Sequence, residues 1–144
     1  MKKGQISLDL LLTLLVAIII IASILMLITN YNQTNQELTA QLQLTQITQN
    51  ASNLIASTKS LEDTNFIIKF QIEKINYTDT NNNPVNQYPK MSIIQEAGVK
   101  KLNAKINIAQ GKTLDYNALL PTNLKSTIDT NATQTKGILV IKNV

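Results

Sequence analysis

The chain has no cysteine, histidine, tryptophan or arginine, and few glycines, prolines or aromatic residues. Each absence excludes something. Without cysteine no disulfide can staple a small domain, so stability has to come from packing, partners or oligomerisation. Without histidine or cysteine there is no imidazole base, no thiolate nucleophile and no common transition-metal cluster. Four glycines in 144 residues leave no glycine-rich phosphate loop. The 13 lysines supply every basic side chain against 9 acids, and the net charge of +4 is modest. Outside the first residues only Lys100 and Lys101 are adjacent, and aromatics are sparse, which argues against nucleic acid as a partner. The acids Glu37, Glu62, Asp63, Glu73, Asp79, Glu96, Asp115 and Asp129 are scattered along the chain. They form no convergent catalytic constellation, so neither an enzyme activity nor a metal or cofactor is expected.

What is present begins with residues 10–28, LLLTLLVAIIIIASILMLI, an uncharged run interrupted only by Thr13 and Ser23. As a helix it would be about 28 Å long, close to the thickness of a bilayer's hydrocarbon core. Lys2 and Lys3 precede it, and the next lysine is Lys59. That asymmetry predicts a cytoplasmic start and export of the rest. A secretory signal would have a shorter apolar region followed by small residues at a cleavage site, whereas this run leads into Thr29-Asn30-Tyr31-Asn32. A plain uncleaved anchor is the simpler rival, and Asp9 argues against it. A carboxylate at the mouth of a span is costly without a partner.

The opening Lys2-Lys3-Gly4-Gln5-Ile6-Ser7-Leu8-Asp9, followed by the apolar run, resembles the class III signal peptide of archaeal type IV pilins. The resemblance covers the leader and first helix. It implies cleavage by a prepilin peptidase between Gly4 and Gln5, on the cytoplasmic side, with the apolar stretch retained. Lys2, Lys3, Ser7 and Asp9 then fall on the processing motif. The sequence departs from the family pattern in having Asp9 where Glu is usual and Thr13 where Leu is usual. Cleavage would remove both leader lysines and free an α-amino group on Gln5. That positive group could pair with Asp9 of a neighbouring subunit, which would set register between stacked copies more than it would add stability.

Between Gly4 and Pro84 there is no glycine or proline, so nothing local forces the helix to stop at the membrane surface. Ala40, Leu44, Ile47, Ala51, Leu54, Thr58 and Leu61 follow 4-3 spacing, with Leu38 and Leu42 pointing elsewhere. The stripe is read as the helix face covered by the chain's own head, in preference to a coiled coil. From about Asp9 to about Leu61 such a helix would be roughly 80 Å long. Beyond it, Phe66, Ile68, Phe70 and Ile72 alternate with more polar neighbours as a strand with one buried face. Residues 78–86 read as a loop and 91–94 as a short strand. Leu102, Ala104, Ile106 and Ile108 form a clearer strand that ends by Gly111, and residues 137–141 form an apolar strand central in a sheet. The stretch 112–136 is rich in Thr and Asn and resists assignment.

N-glycosylation triplets stand at Asn32, Asn50, Asn76 and Asn131, with roughly three expected by chance at this composition. Asn131, in a polar loop, and Asn76, at a strand end, are the better acceptors, because the helix would carry Asn32 and Asn50 into a fibre.

The expectation is an α+β chain. Residues 1–4 form a leader that is removed. Residues 5–62 form a long helix whose 10–28 portion spans the membrane and then lines a filament core, and residues 63–144 form a small, mainly antiparallel β head outside the cell. The function implied by the resemblance is a structural pilin, assembled with identical copies into a helical surface filament after prepilin peptidase cleavage. The pilus assembly machinery is a partner, the precursor sits in the cytoplasmic membrane, and adhesion is the expected use. The alternatives are a minor pilin that initiates or tips the fibre, and a monomeric membrane-anchored binding module.

Overall fold

The computed structural model describes the backbone of residues 2–61, 63–79, 83–108 and 111–143, and side chains from residue 9 onward. The order of elements is a helix α1 (Lys2–Ser57), a 3-10 turn (Thr58–Leu61), strands β1 (Phe66–Gln71), β2 (Ile75–Thr78), β3 (Pro84–Gln87), β4 (Lys90–Glu96), β5 (Val99–Asn107), β6 (Thr113–Leu119) and β7 (Thr127–Ile128), a short helix α2 (Thr130–Lys136), and β8 (Ile138–Asn143). The chain divides into two compact units, Met1–Asn35 and Gln36–Val144. It is α+β, with a long helix packed against small antiparallel sheets.

Within the second unit the strands form two three-stranded sheets, β1-β8-β7 and β4-β5-β6, and a separate hairpin, β2-β3. All pairings are antiparallel. One sheet was expected. The apolar final strand does lie centrally, between β1 and β7, but it starts at Ile138, because Gly137 closes α2 instead. Residues 78–86 are less of a loop than their polarity suggests, since Pro84–Gln87 pairs with Ile75–Thr78 and, next to that pairing, Asp79 Oδ1 accepts the Asn83 N–H at 2.8 Å. The unassigned 112–136 stretch contains β6, β7 and α2. Its strand β6 is short of apolar residues because its outer face carries Thr113, Asp115 and Asn117, all exposed. The turn between β4 and β5 is Ala97-Gly98, with φ of 48° and 78°. Two positive φ values match the twist of a two-residue hairpin, and Gly98 takes its conformation without strain.

The core is Leu44, Ile55, Ile75, Met91, Leu102, Leu124, Leu139 and Ile141, all fully buried. Residues 36–57 of α1 supply one side of it, along the line Ala40, Leu44, Thr48, Ala51, Ile55, with Thr58 next in the 3-10 turn. Steps of 4, 4, 3, 4 and 3 average the pitch of a straight α-helix, about 3.6 residues, rather than the heptad's 3.5. The line therefore drifts off the expected 4-3 stripe: Ile47 and Leu54 are half-buried, Leu61 is exposed, and Thr48 and Ser52 are buried. A helix covered by its own head fits this drift, as expected. Leu38 and Leu42 point away from the core, at 56% and 62% exposure.

Helix α1 also closes sheet edges. The Gln43 side chain makes the two bonds that a neighbouring strand would make to β2, its Oε1 accepting the Asn76 N–H at 2.9 Å and its Nε2 donating to the Asn76 carbonyl at 3.1 Å. Along β6, Ser52 Oγ donates to the Leu119 carbonyl at 2.8 Å and Gln41 Nε2 donates to the Asp115 carbonyl at 3.4 Å. At the helix end the hydroxyls of Ser57, Thr58 and Ser60 donate to the carbonyls of Leu54, Ile55 and Ser57. They satisfy carbonyls left without a helical partner.

Candidate functional site

The first unit is where the chain departs most from an ordinary fold. Every Leu, Ile, Val and Met from residue 10 to 28 is between 46 and 71% exposed. The helix there has the length and composition of a membrane span, and none of that stretch is buried. Because it is apolar on all sides, it has no polar face to give to water; such a helix needs lipid or other protein around it. Its two hydroxyl residues are compatible with that setting, since Thr13 Oγ1 donates to the Asp9 carbonyl and Ser23 Oγ to the Ile19 carbonyl, each at 2.8 Å. Each hydroxyl hydrogen is used within the helix, so neither group has to be solvated.

The residues expected to carry processing and pairing lie at the start of α1. The backbone is helical from Lys2, which puts the Gly4-Gln5 junction inside the helix and sets positions 5 and 9 four residues apart, one turn along the same face. The side chains of Lys2, Lys3, Gln5 and Ser7 lie outside the described residues. Asp9 is exposed and, among the described residues, makes no ion pair. The structure thus places Asp9 at the edge of the apolar run, exposed.

The four glycosylation triplets differ in setting. Asn76 is an exposed residue in the extended backbone of β2, and the Thr78 of its triplet is half-buried. Asn131, expected in a loop, is instead in the first turn of α2, where its N–H donates to the capping Asp129 at 3.0 Å. Its Thr133 is fully buried and donates to the Thr130 carbonyl at 2.7 Å. Asn32 and Asn50 are exposed on α1, but Ser52 of the second triplet is buried and bonded to Leu119.

Two open clefts in the head are lined by described residues. One, of about 460 Å³, has an apolar floor of Ile47, Ala51, Leu54 and Phe70 beneath the amides of Gln46 and Asn50. The other, of about 510 Å³, is lined by Lys90, Lys105 and Asp115, which stand in one row across β4, β5 and β6, and by Tyr88. The Tyr88 ring is not open to a ligand on both sides, because Lys74 Nζ lies 5.2 Å from its centroid and Gly137 packs against it. Ion pairs join Lys101 to Glu96 at 2.8 Å, Lys125 to Asp63 at 3.7 Å, and Lys112 to Glu37. The hydrogen bond from Lys101, and then its charge, hold the Glu96 carboxyl below the usual range. Burial, helped by Asp79, raises the Tyr77 phenol, whose hydroxyl donates to the Asn107 carbonyl at 3.2 Å. Among the described residues no three acids come together as a metal-holding group.

Comparison with known proteins adds no relative: the chain matches no protein-family model, no curated protein and no solved structure.

Proposed function

We propose that the chain is a structural subunit of a type IV pilus-like surface filament of the archaeal kind. It is made as a single-pass membrane precursor with a cytoplasmic N-terminus, trimmed between Gly4 and Gln5, and assembled by bundling residues 10–28 of many copies. The observation that carries the reading is the contrast between the two units. The head encloses a core of its own, whereas the apolar run, among the described residues, is exposed on every side. Lipid covers that run before assembly. Identical helices cover it afterwards, and each Å² of apolar surface they keep from water is worth about 25 cal/mol. Asp9 is exposed at the start of the run and four residues from Gln5, a placement that suits pairing with the new amino group of an adjacent copy. The head, with exposed hydroxyls and amides, forms the outer surface and makes the contacts of adhesion.

Shearing the surface of cells that produce the chain tests this reading. A major subunit is the dominant protein of the filament fraction. A chain scarce in filaments that are otherwise abundant is a minor subunit, and one that stays with the membrane is an anchored binding module.

A further inference from the structure

Side chains of α1 close the edges of β2 and β6, but not that of β1. In the β1-β8-β7 sheet, β1 has β8 on one side only. The ladder continues past the strand's end, with the Ile72 N–H donating to the Gly137 carbonyl at 2.7 Å, so even-numbered residues of β1 face β8. By the alternation of an antiparallel pair, the N–H and C=O groups of Ile67, Lys69 and Gln71 face outward. Among the described residues no hydrogen bond engages them. The inner side chains repeat the message: Phe66, Ile68 and Phe70 are only half-buried, while Leu139 and Ile141 beside them on β8 are fully buried. The open cleft floored by Ile47, Leu54 and Phe70 runs alongside Gln71 and Glu73. An edge of this kind is a template for another strand.

We infer that the end of β1 and the two residues after it, 69–73, pair antiparallel with the same segment of a second copy, about a two-fold axis at Gln71. Charge selects both the occupant and the register. A pair centred on Lys69 would set Lys69 against itself, and like charges directly opposed are destabilising. Moving the axis to Gln71 sets Lys69 of each copy opposite Glu73 of the other. Both side chains are exposed and, among the described residues, neither makes an ion pair. The interface is isologous, so each favourable pair occurs twice. Phe70 of each copy then lies opposite Ile72 of the other, beside the cleft. The pairing does not depend on the filament: heads displayed from a membrane meet by the same edge, and in filaments it joins neighbouring fibres.

Because the chain has no cysteine, an introduced thiol has no competitor. Full-length Gln71→Cys, Lys69→Cys and Thr122→Cys variants are oxidised in isolated membranes and resolved without reductant, the last measuring random collision between heads. Directly opposed residues have Cα atoms about 5.5 Å apart, within disulfide reach. The expected result is a covalent dimer with Gln71→Cys, with Lys69→Cys near the collision level. Adding Lys69→Glu or Glu73→Lys to the Gln71→Cys chain lowers the yield roughly tenfold, and the two together restore it. No dimer with Gln71→Cys, a stronger one with Lys69→Cys, or no rescue by the double exchange overturns the inference. All these positions are exposed, and an unchanged melting temperature confirms the fold.

Discussion

At Gly137 three demands meet. It closes α2 with φ of 63°, its N–H bonds back to the carbonyls of Ala132 and Thr133, and the ring of Tyr88 lies where a side chain would start. A Cβ added there would be 2.2 Å from Tyr88 Cε1. Gly137→Ala is expected to cost about 2 kcal/mol or more, from the left-handed backbone and the displaced ring together, read as a lower melting temperature of the head. The glycine was visible in the sequence, but its role was not. A glycine before an apolar run reads as the start of a strand, and the seven-residue helix that it ends has no apolar periodicity of its own. What identifies α2 is Asp129, whose Oδ1 accepts the N–H groups of Asn131 and Ala132, and Asp, Asn and Thr in such a stretch signal loops as readily as caps. The processing residues differ again. They were legible only as a resemblance, because Lys2, Lys3, Gln5 and Ser7 act, on that reading, through another protein and not through the fold.

Among the elements, α1 was legible in kind and extent, because no glycine or proline interrupts it and the change at residue 66 to a two-residue period marks its end. The face it buries was misread by a small rotation. Thr48 and Ser52 were passed over as polar, yet the Thr48 hydroxyl donates to the Leu44 carbonyl at 2.6 Å and that of Ser52 to Leu119, so both are buried without leaving a polar hydrogen unsatisfied. The rotation separates two otherwise similar substitutions. Ile55→Ala removes a fully buried side chain and is expected to cost about 2–5 kcal/mol. Leu61→Ala, at a position 42% exposed, should stay within about 0.5 kcal/mol. Unfolding the two variants side by side decides the matter, since the heptad stripe, which holds Leu61 and omits Ile55, would have made the Leu61 change the costlier one. The role of α1 in closing edges was out of reach of the sequence, since nothing in Gln41 or Gln43 says which strand will come to lie beside it.

For the molecule as a whole, the sequence already separated an apolar run from a mixed, alternating remainder, and the structure gives that division physical meaning. The head largely satisfies itself: its core is closed, and α1 answers the edges of β2 and β6. The run at residues 10–28 satisfies nothing within the chain, and its hydroxyls are tied up as a dry environment demands. A permanent anchor and a temporary one present the same exposed helix. They differ in the fate of residues 1–4, because the proposed filament subunit would lose Lys2 and Lys3 on leaving the membrane and expose an amino group to pair with Asp9. The intact mass of the chain recovered from sheared surface filaments therefore tests the account most directly. A filament subunit is expected to begin at Gln5, and a chain found only in membranes with Met1 or Lys2 still at its start would contradict the proposed function.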